Sequence, residues 1–91
     1  MPDVEVRQMP AFKKAYKKLH KSEKVEVDAA IREIIANPQI GEPKKGDIAG
    51  VYVHKFKVNK RETLLAYEWD VKLRLLLLLG SHENFYRDLK Q

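Results

Sequence analysis

His82 and Tyr86 stand four residues apart, directly after an unbroken run from Leu75 to Leu79 and the Gly80-Ser81 step that ends it. If a helix begins near Ser81, the imidazole and the phenol share one face a turn apart, a pair able to exchange protons with a bound substrate. Imidazoles titrate near neutrality and serve as acid or base. Tyr86 can orient or stack a nucleobase or share in proton transfer. Lys55, Lys57, Arg61 and Arg87 supply cations for a phosphate, and Glu68 a carboxylate to orient the histidine or act as a base. Such a set suits the cutting of RNA by its own 2′-hydroxyl. That reaction needs one group to remove a proton, another to supply one, and cations for the charge that builds around phosphorus. It asks for no metal, and the three dispersed histidines lack the spacing of metal ligands.

Each of these residues also has a plain structural role. A histidine at a strand-helix junction often caps a corner, and a tyrosine one turn on often packs. Lys55 and Lys57 suit an edge that must not pair with other chains. His54 shares its strand parity with Tyr52 and Phe56, which predicts a core-side or edge position, and His20 reads as a helix-end residue.

The elements that must position the pair follow from periodicity. Val4-Glu5-Val6 alternates as a short first strand does. Pro10 suits the first turn of a helix running to about His20, in which Phe12, Ala15, Tyr16 and Leu19 form the apolar face. Lys13, Lys14, Lys17 and Lys18 lie opposite, where they give a general attraction for RNA. Ser22 is placed to cap a second helix carrying Val27, Ala30, Ile31, Ile34 and Ile35, which Asn37-Pro38 ends. The Gly, Pro and Lys content of residues 41–50 predicts a loop. Three strands follow at 51–58, 63–69 and 73–79, with turns at 59–62 and 70–72 short enough to require antiparallel neighbours. The predicted fold is α+β: a short N-terminal strand, a helical hairpin, a three-stranded antiparallel meander and a short C-terminal helix, all in one domain of residues 1–91.

Alternation puts Tyr52, Phe56, Val58, Leu65, Tyr67, Trp69, Leu73, Leu75, Leu77 and Leu79 on the helix side. Val51, Val53, Lys55, Lys57, Leu64, Ala66, Glu68, Arg74, Leu76 and Leu78 then share the open face, with His82 at its rim. Exposed Leu64, Leu76 and Leu78 beside Lys55, Lys57 and Arg74 suit an acidic, amphipathic protein segment that folds as it binds.

Charge and composition narrow the partners. Eighteen Lys and Arg against thirteen Asp and Glu leave a net +5 on 91 residues, which makes polyanions the first candidates. The charge is sorted: Arg7, Lys13, Lys14, Lys17, Lys18, Lys21 and Lys24 fill the first quarter, and an acidic stretch with Glu26, Asp28, Glu33 and Glu42 follows. Without cysteine there is neither a disulfide framework nor a thiolate site, so packing or a partner must supply stability. The first residues lack an apolar signal core and the leucine run is too short for a bilayer, which favours the cytoplasm and no membrane partner.

Taken in order, Val51-Tyr52-Val53-His54-Lys55-Phe56-Lys57, Leu64-Leu65-Ala66-Tyr67 and Gly80-Ser81-His82-Glu83-Asn84-Phe85-Tyr86-Arg87-Asp88-Leu89 resemble the RelE/ParE superfamily of bacterial toxins. The resemblance covers nearly the whole chain. It implies a small sheet backed by a helical hairpin, no cofactor, and a RelE-like mRNA endonuclease that inhibits translation, usually at the ribosomal A site. Ribosome, mRNA and a cognate antitoxin are the implied partners, the last in a toxin–antitoxin hetero-oligomer. By position, Lys55 matches a cationic residue on the strand after the loop. His82 matches the Arg or His two residues after the glycine that ends the last strand, and Tyr86 the aromatic one turn later. Where several RelE-like nucleases carry an arginine before the middle-strand aliphatics this chain has Leu64, with Arg61 in the adjoining turn as the substitute. ParE-like relatives use the same scaffold to inhibit DNA gyrase without cutting nucleic acid. An inactive RNA-binding or antitoxin-binding relative is the third alternative.

Overall fold

Pro10 opens the first helix, its ring already holding φ near the helical value and its missing N–H costing nothing at that position. Along the chain come β1 (Glu5–Gln8), α1 (Pro10–Lys17), α2 (Lys21–Ala36), β2 (Glu42–Pro43), β3 (Tyr52–Val58), β4 (Arg61–Trp69), β5 (Leu73–Ser81) and α3 (His82–Leu89). The computed structural model describes residues 3–89, the side chains of residues 82–84 excepted. The strands form one sheet in the order β1-β5-β4-β3-β2. β3, β4 and β5 make the expected antiparallel meander, β1 adds parallel to β5, and β2 adds antiparallel to β3.

Several boundaries differ from the sequence reading. α1 stops at Lys17, and the next helix starts at Lys21 with His20, not Ser22, at the cap position. The Glu23 carboxylate accepts the His20 backbone N–H at 2.8 Å, which anchors the first turn there. β4 begins at Arg61 because Asn59 and Lys60 form a two-residue turn, both at positive φ (53° and 67°). That geometry matches the right-handed twist of the flanking strands.

The sheet has a packed layer on each side. α1 and α2 set Phe12, Val27 and Ile34 against Val58, Leu65, Tyr67, Leu76 and Leu79. On the opposite face α3 sets Phe85 against Val51, Val53, Leu64 and Ala66, with Leu77, Leu78, Tyr86 and Leu89 partly buried around them. A fully buried Leu, Ile or Phe contributes about 1.5–3 kcal/mol by leaving water, so α3 is held chiefly by Phe85.

A bulge corrects the face assignment of β5. Ala66 pairs with Leu78 but Tyr67 pairs with Leu76, so Leu77 has no partner opposite it and the alternation reverses on its N-terminal side. Leu76 therefore belongs to the helix-side core, while Leu77 packs toward α3. Leu64 and Leu76 are both fully buried, not exposed as expected, and Leu78 is half-buried.

Arg74 moves with the register. It is buried on the helix side, where Nε donates to Ile34 O at 3.3 Å, Nη2 to Ile35 O at 3.1 Å and Nη1 to Asp70 O at 2.6 Å. The guanidinium thus satisfies carbonyls that the end of α2 leaves without intrahelical partners. It is not part of an open cationic face.

Candidate functional site

β3 carries Lys55 on its α3-facing side, as alternation predicts, between buried Val53 and exposed Lys57. Its register partner on β4 is Leu64, which α3 covers. From α3 comes Tyr86, half-buried against the same layer, with the Phe85 ring edge-on at 5.5 Å between centroids. Lys55 and Tyr86 line one cleft of about 260 Å³ with Ile40, Glu42, Lys44, Val53, His54 and Leu64. The floor is aliphatic and the walls carry two ammonium groups, a carboxylate and a phenol.

Lys44 lies in the segment 41–50 whose composition predicts a loop. The two-residue strand β2 changes that: Glu42 pairs with Val53, Pro43 with Tyr52, and Lys44 N donates to Val51 O at 2.9 Å. Glu42 and Lys44 consequently project to the α3 side with Val51, Val53 and Lys55. The available signal was the alternation of Glu42 and Lys44 about Pro43, a residue that sheets accept at an edge.

Lys44 Nζ sits 5.1 Å from the centroid of the Tyr86 ring and donates to Glu42 Oε1 at 3.1 Å. Its side chain is only 19% exposed, whereas that of Lys55 is 61% exposed and reaches Glu62 Oε1 at 3.7 Å. Burial alone would lower the Lys44 pKa, but its interactions with Tyr86 and Glu42 outweigh that and hold it above the ordinary lysine value. The cleft therefore contains one largely covered ammonium held between Tyr86 and Glu42 and one exposed ammonium beside Glu62.

The remaining sequence candidates are distributed around the sheet. His82 opens α3, at the strand end that leads into the site, but its side chain lies outside the described residues. Glu68 is exposed on the α3-facing side but pairs with Leu75, five residues along β4 from the Thr63–Ser81 pair. At strand spacing that is ~17 Å from the start of α3, too far for a side chain to bridge.

Arg61 lies with Lys14 and Lys18 in a different groove of about 590 Å³, between α1 and the β3–β4 turn. That groove has an apolar floor and a rim of mixed sign, with Glu23, Glu62 and Asp88 beside the cations. Lys13, Lys17, Lys57 and Arg87 are exposed, while the buried Arg74 is committed to α2. His54, expected on the core side or at an edge, is buried with its ring stacked on Phe56 at 5.4 Å and Nε2 3.9 Å from Glu33. Burial lowers its pKa and Glu33 offsets only part of that effect.

A family model described as the ParE-like toxin of type II bacterial toxin–antitoxin systems matches residues 6–90. The chain belongs to that family. Solved structures agree on the fold of this ParE-like toxin. One of the intact Escherichia coli RelBE toxin–antitoxin complex covers 88% of this chain and 98% of its own at 20% identity and a TM-score of 0.69. A YoeB/ParE toxin from Agrobacterium tumefaciens covers 87% and 99% at 16% identity and a TM-score of 0.70. The RelBE2 toxin–antitoxin complex of Mycobacterium tuberculosis covers 90% and 100% at 18% identity and 0.61. No curated protein sequence matches the chain. Among the described residues no helix is long and apolar enough to cross a membrane.

Proposed function

We propose that this ParE-like toxin is an mRNA endonuclease acting on ribosome-bound message, and that a cognate antitoxin neutralises it. The observation that carries the reading is the convergence of Lys55, Lys44 and, from α3, Tyr86 on one cleft. In the reaction the RNA 2′-oxygen bonds to phosphorus as the P–O5′ bond breaks, leaving a 2′,3′-cyclic phosphate and a 5′-hydroxyl. One proton leaves the 2′-hydroxyl and one arrives at O5′. His82 and Tyr86 are the proton-transfer groups, Lys55 neutralises the phosphate, and exposed Lys57 and Arg87 with the α1 lysines hold flanking RNA. Arg61 contributes positive field and RNA contacts from outside the cleft, and Glu68, at the far end of β4, has no part in the reaction. The antitoxin inhibits by covering the cleft with an acidic segment. The toxin–antitoxin complexes among the structural neighbours support an antitoxin partner.

The test is primer extension on message translated in a purified system, with a lane of free RNA and a lane of His82→Ala. Cuts that require ribosomes and vanish in the variant are the expected result. Cuts in free RNA make the protein a ribosome-independent ribonuclease. The family model's ParE-like description keeps gyrase in view. Growth arrest without cuts, accompanied by loss of supercoiling, would replace the nuclease reading with gyrase inhibition.

A further inference from the structure

Lys44 is an unusual lysine for a surface of this kind. An exposed lysine keeps its ammonium in water on a flexible stem and contributes little to a binding site before the ligand arrives. Lys44 has lost most of that freedom: its backbone is fixed by the bond from its N–H to Val51 O, and its stem is four-fifths covered. Its Nζ is held against Tyr86 and Glu42. The ordering entropy that a ligand would otherwise have to overcome has been met by folding.

Its two partners are not equivalent. Tyr86 belongs to the packed α3 layer, whereas the Glu42 side chain is 75% exposed at the sheet edge. An incoming anion can displace the exposed carboxylate from Lys44 while the ammonium itself stays in place. Glu42 then rotates into water, where it repels the anion weakly.

We propose that Lys44 is a phosphate seat: together with exposed Lys55 it holds a non-bridging oxygen of the scissile phosphodiester against Tyr86. This assignment rests on the endonuclease reading and gives a substrate contact to a residue outside the His82, Tyr86 and Lys55 set. Lys44 is the preformed half of the site and Lys55 the half that closes on the substrate. Lysine ammonium groups keep their charge throughout the neutral range, and the interactions of Lys44 with Tyr86 and Glu42 favour that charged form. A fixed ammonium aimed at a phosphoryl oxygen stabilises charge that grows in the transition state, so its loss falls mainly on the chemical step.

The deciding experiment measures single-turnover cutting of ribosome-loaded message and of free RNA. Each substrate carries either a normal phosphate or a stereopure phosphorothioate at the mapped cut. Sulfur in place of the contacted oxygen weakens the charged hydrogen bond, so the wild type should slow on one stereoisomer by on the order of tenfold. Lys44→Met should cut the normal linkage on the order of 100-fold more slowly, with the difference between oxygen and sulfur largely gone. Lys44→Arg should recover part of the rate and keep the difference. Lys44→Gln replaces the Met variant if that one does not melt cooperatively.

A Lys44→Met enzyme as fast as wild type, or slowed equally on both linkages, would overturn the phosphate seat and leave the nuclease reading standing. If the wild type cuts neither substrate, the nuclease reading fails and the seat falls with it.

Discussion

The Tyr67 hydroxyl accepts the backbone N–H of Gly41 at 2.9 Å, and the same oxygen donates to Pro38 O at 2.6 Å. A buried ring on the central part of β4 thereby fixes the two ends of the turn that leads into β2, and β2 carries Lys44. Burial raises the Tyr67 pKa, so the phenol keeps the proton it donates. Tyr67→Phe removes both bonds and leaves the Gly41 N–H without its partner. The expected loss is about 1–3 kcal/mol in urea unfolding, with faster amide exchange at Gly41.

Gly41 tests the same contact from the other side. A Cβ built there would lie 2.6 Å from Tyr67 Oη, within the space of the hydroxyl itself. Gly41→Ala must push the turn away from Tyr67. We expect destabilisation of about 1–3 kcal/mol, no gain from Tyr67→Phe added to it, and a weaker toxin. Additive losses in the double variant would show that the two positions are not coupled.

Arg74 should behave as a structural residue. Removing a guanidinium that satisfies carbonyls of Ile34, Ile35 and Asp70 leaves acceptors buried, and the same group lies over the Trp69 ring, with Cζ 5.8 Å from its centroid. Arg74→Met should cost about 2–4 kcal/mol of stability. Once corrected for the folded fraction, its cutting rate should equal that of wild type. A selective loss of RNA affinity in a fully folded protein would return Arg74 to the binding surface.

Tyr86 separates ring from hydroxyl. Phe at this position preserves the packing around Phe85 and Leu64, so Tyr86→Phe should melt within about 1 kcal/mol of wild type. Cutting should nevertheless fall on the order of 100-fold or more. Full activity in Tyr86→Phe would restrict Tyr86 to packing or base stacking.

His54 gives a pH dependence of stability. Its folded-state pKa lies below the ordinary value of 6.5 because burial disfavours the imidazolium. The unfolded chain therefore binds the extra proton first. The contribution of neutral His54 is fully present above pH 6.5 and is lost as pH falls below it toward the lowered folded value. Thermal midpoints measured from pH 7.5 to 5 should decline more steeply for wild type than for His54→Phe. Parallel curves would show that His54 titrates alike in both states.

The residues themselves determined most of the scaffold. Phe12, Ala15, Tyr16 and Leu19 at helical spacing placed α1, and Val27, Ala30 and Ile34 placed α2. The β3–β4–β5 meander followed from strand-length apolar runs joined by turns too short for anything but antiparallel pairing. Lys55 on the α3-facing side also followed, because β3 alternates cleanly. The β5 faces did not: in Leu75–Leu79 every position is leucine, so neither parity costs more than the other in isolation. Only pairing with β4, and the bulge at Leu77 that lets Tyr67 meet Leu76, decided that Arg74 and Leu76 face the helices. Lys44 was hidden for a related reason. A two-residue strand containing proline offers only the alternation of Glu42 and Lys44, too short to tell from a loop, and it becomes a strand because β3 offers Tyr52 and Val53 as partners, Val51 accepts the Lys44 N–H and Tyr67 holds its approach. Local spacing encodes which elements form. The side to which a uniform or very short element turns its residues is set by hydrogen-bond register with neighbours distant in sequence, and the tertiary fold alone supplies that register.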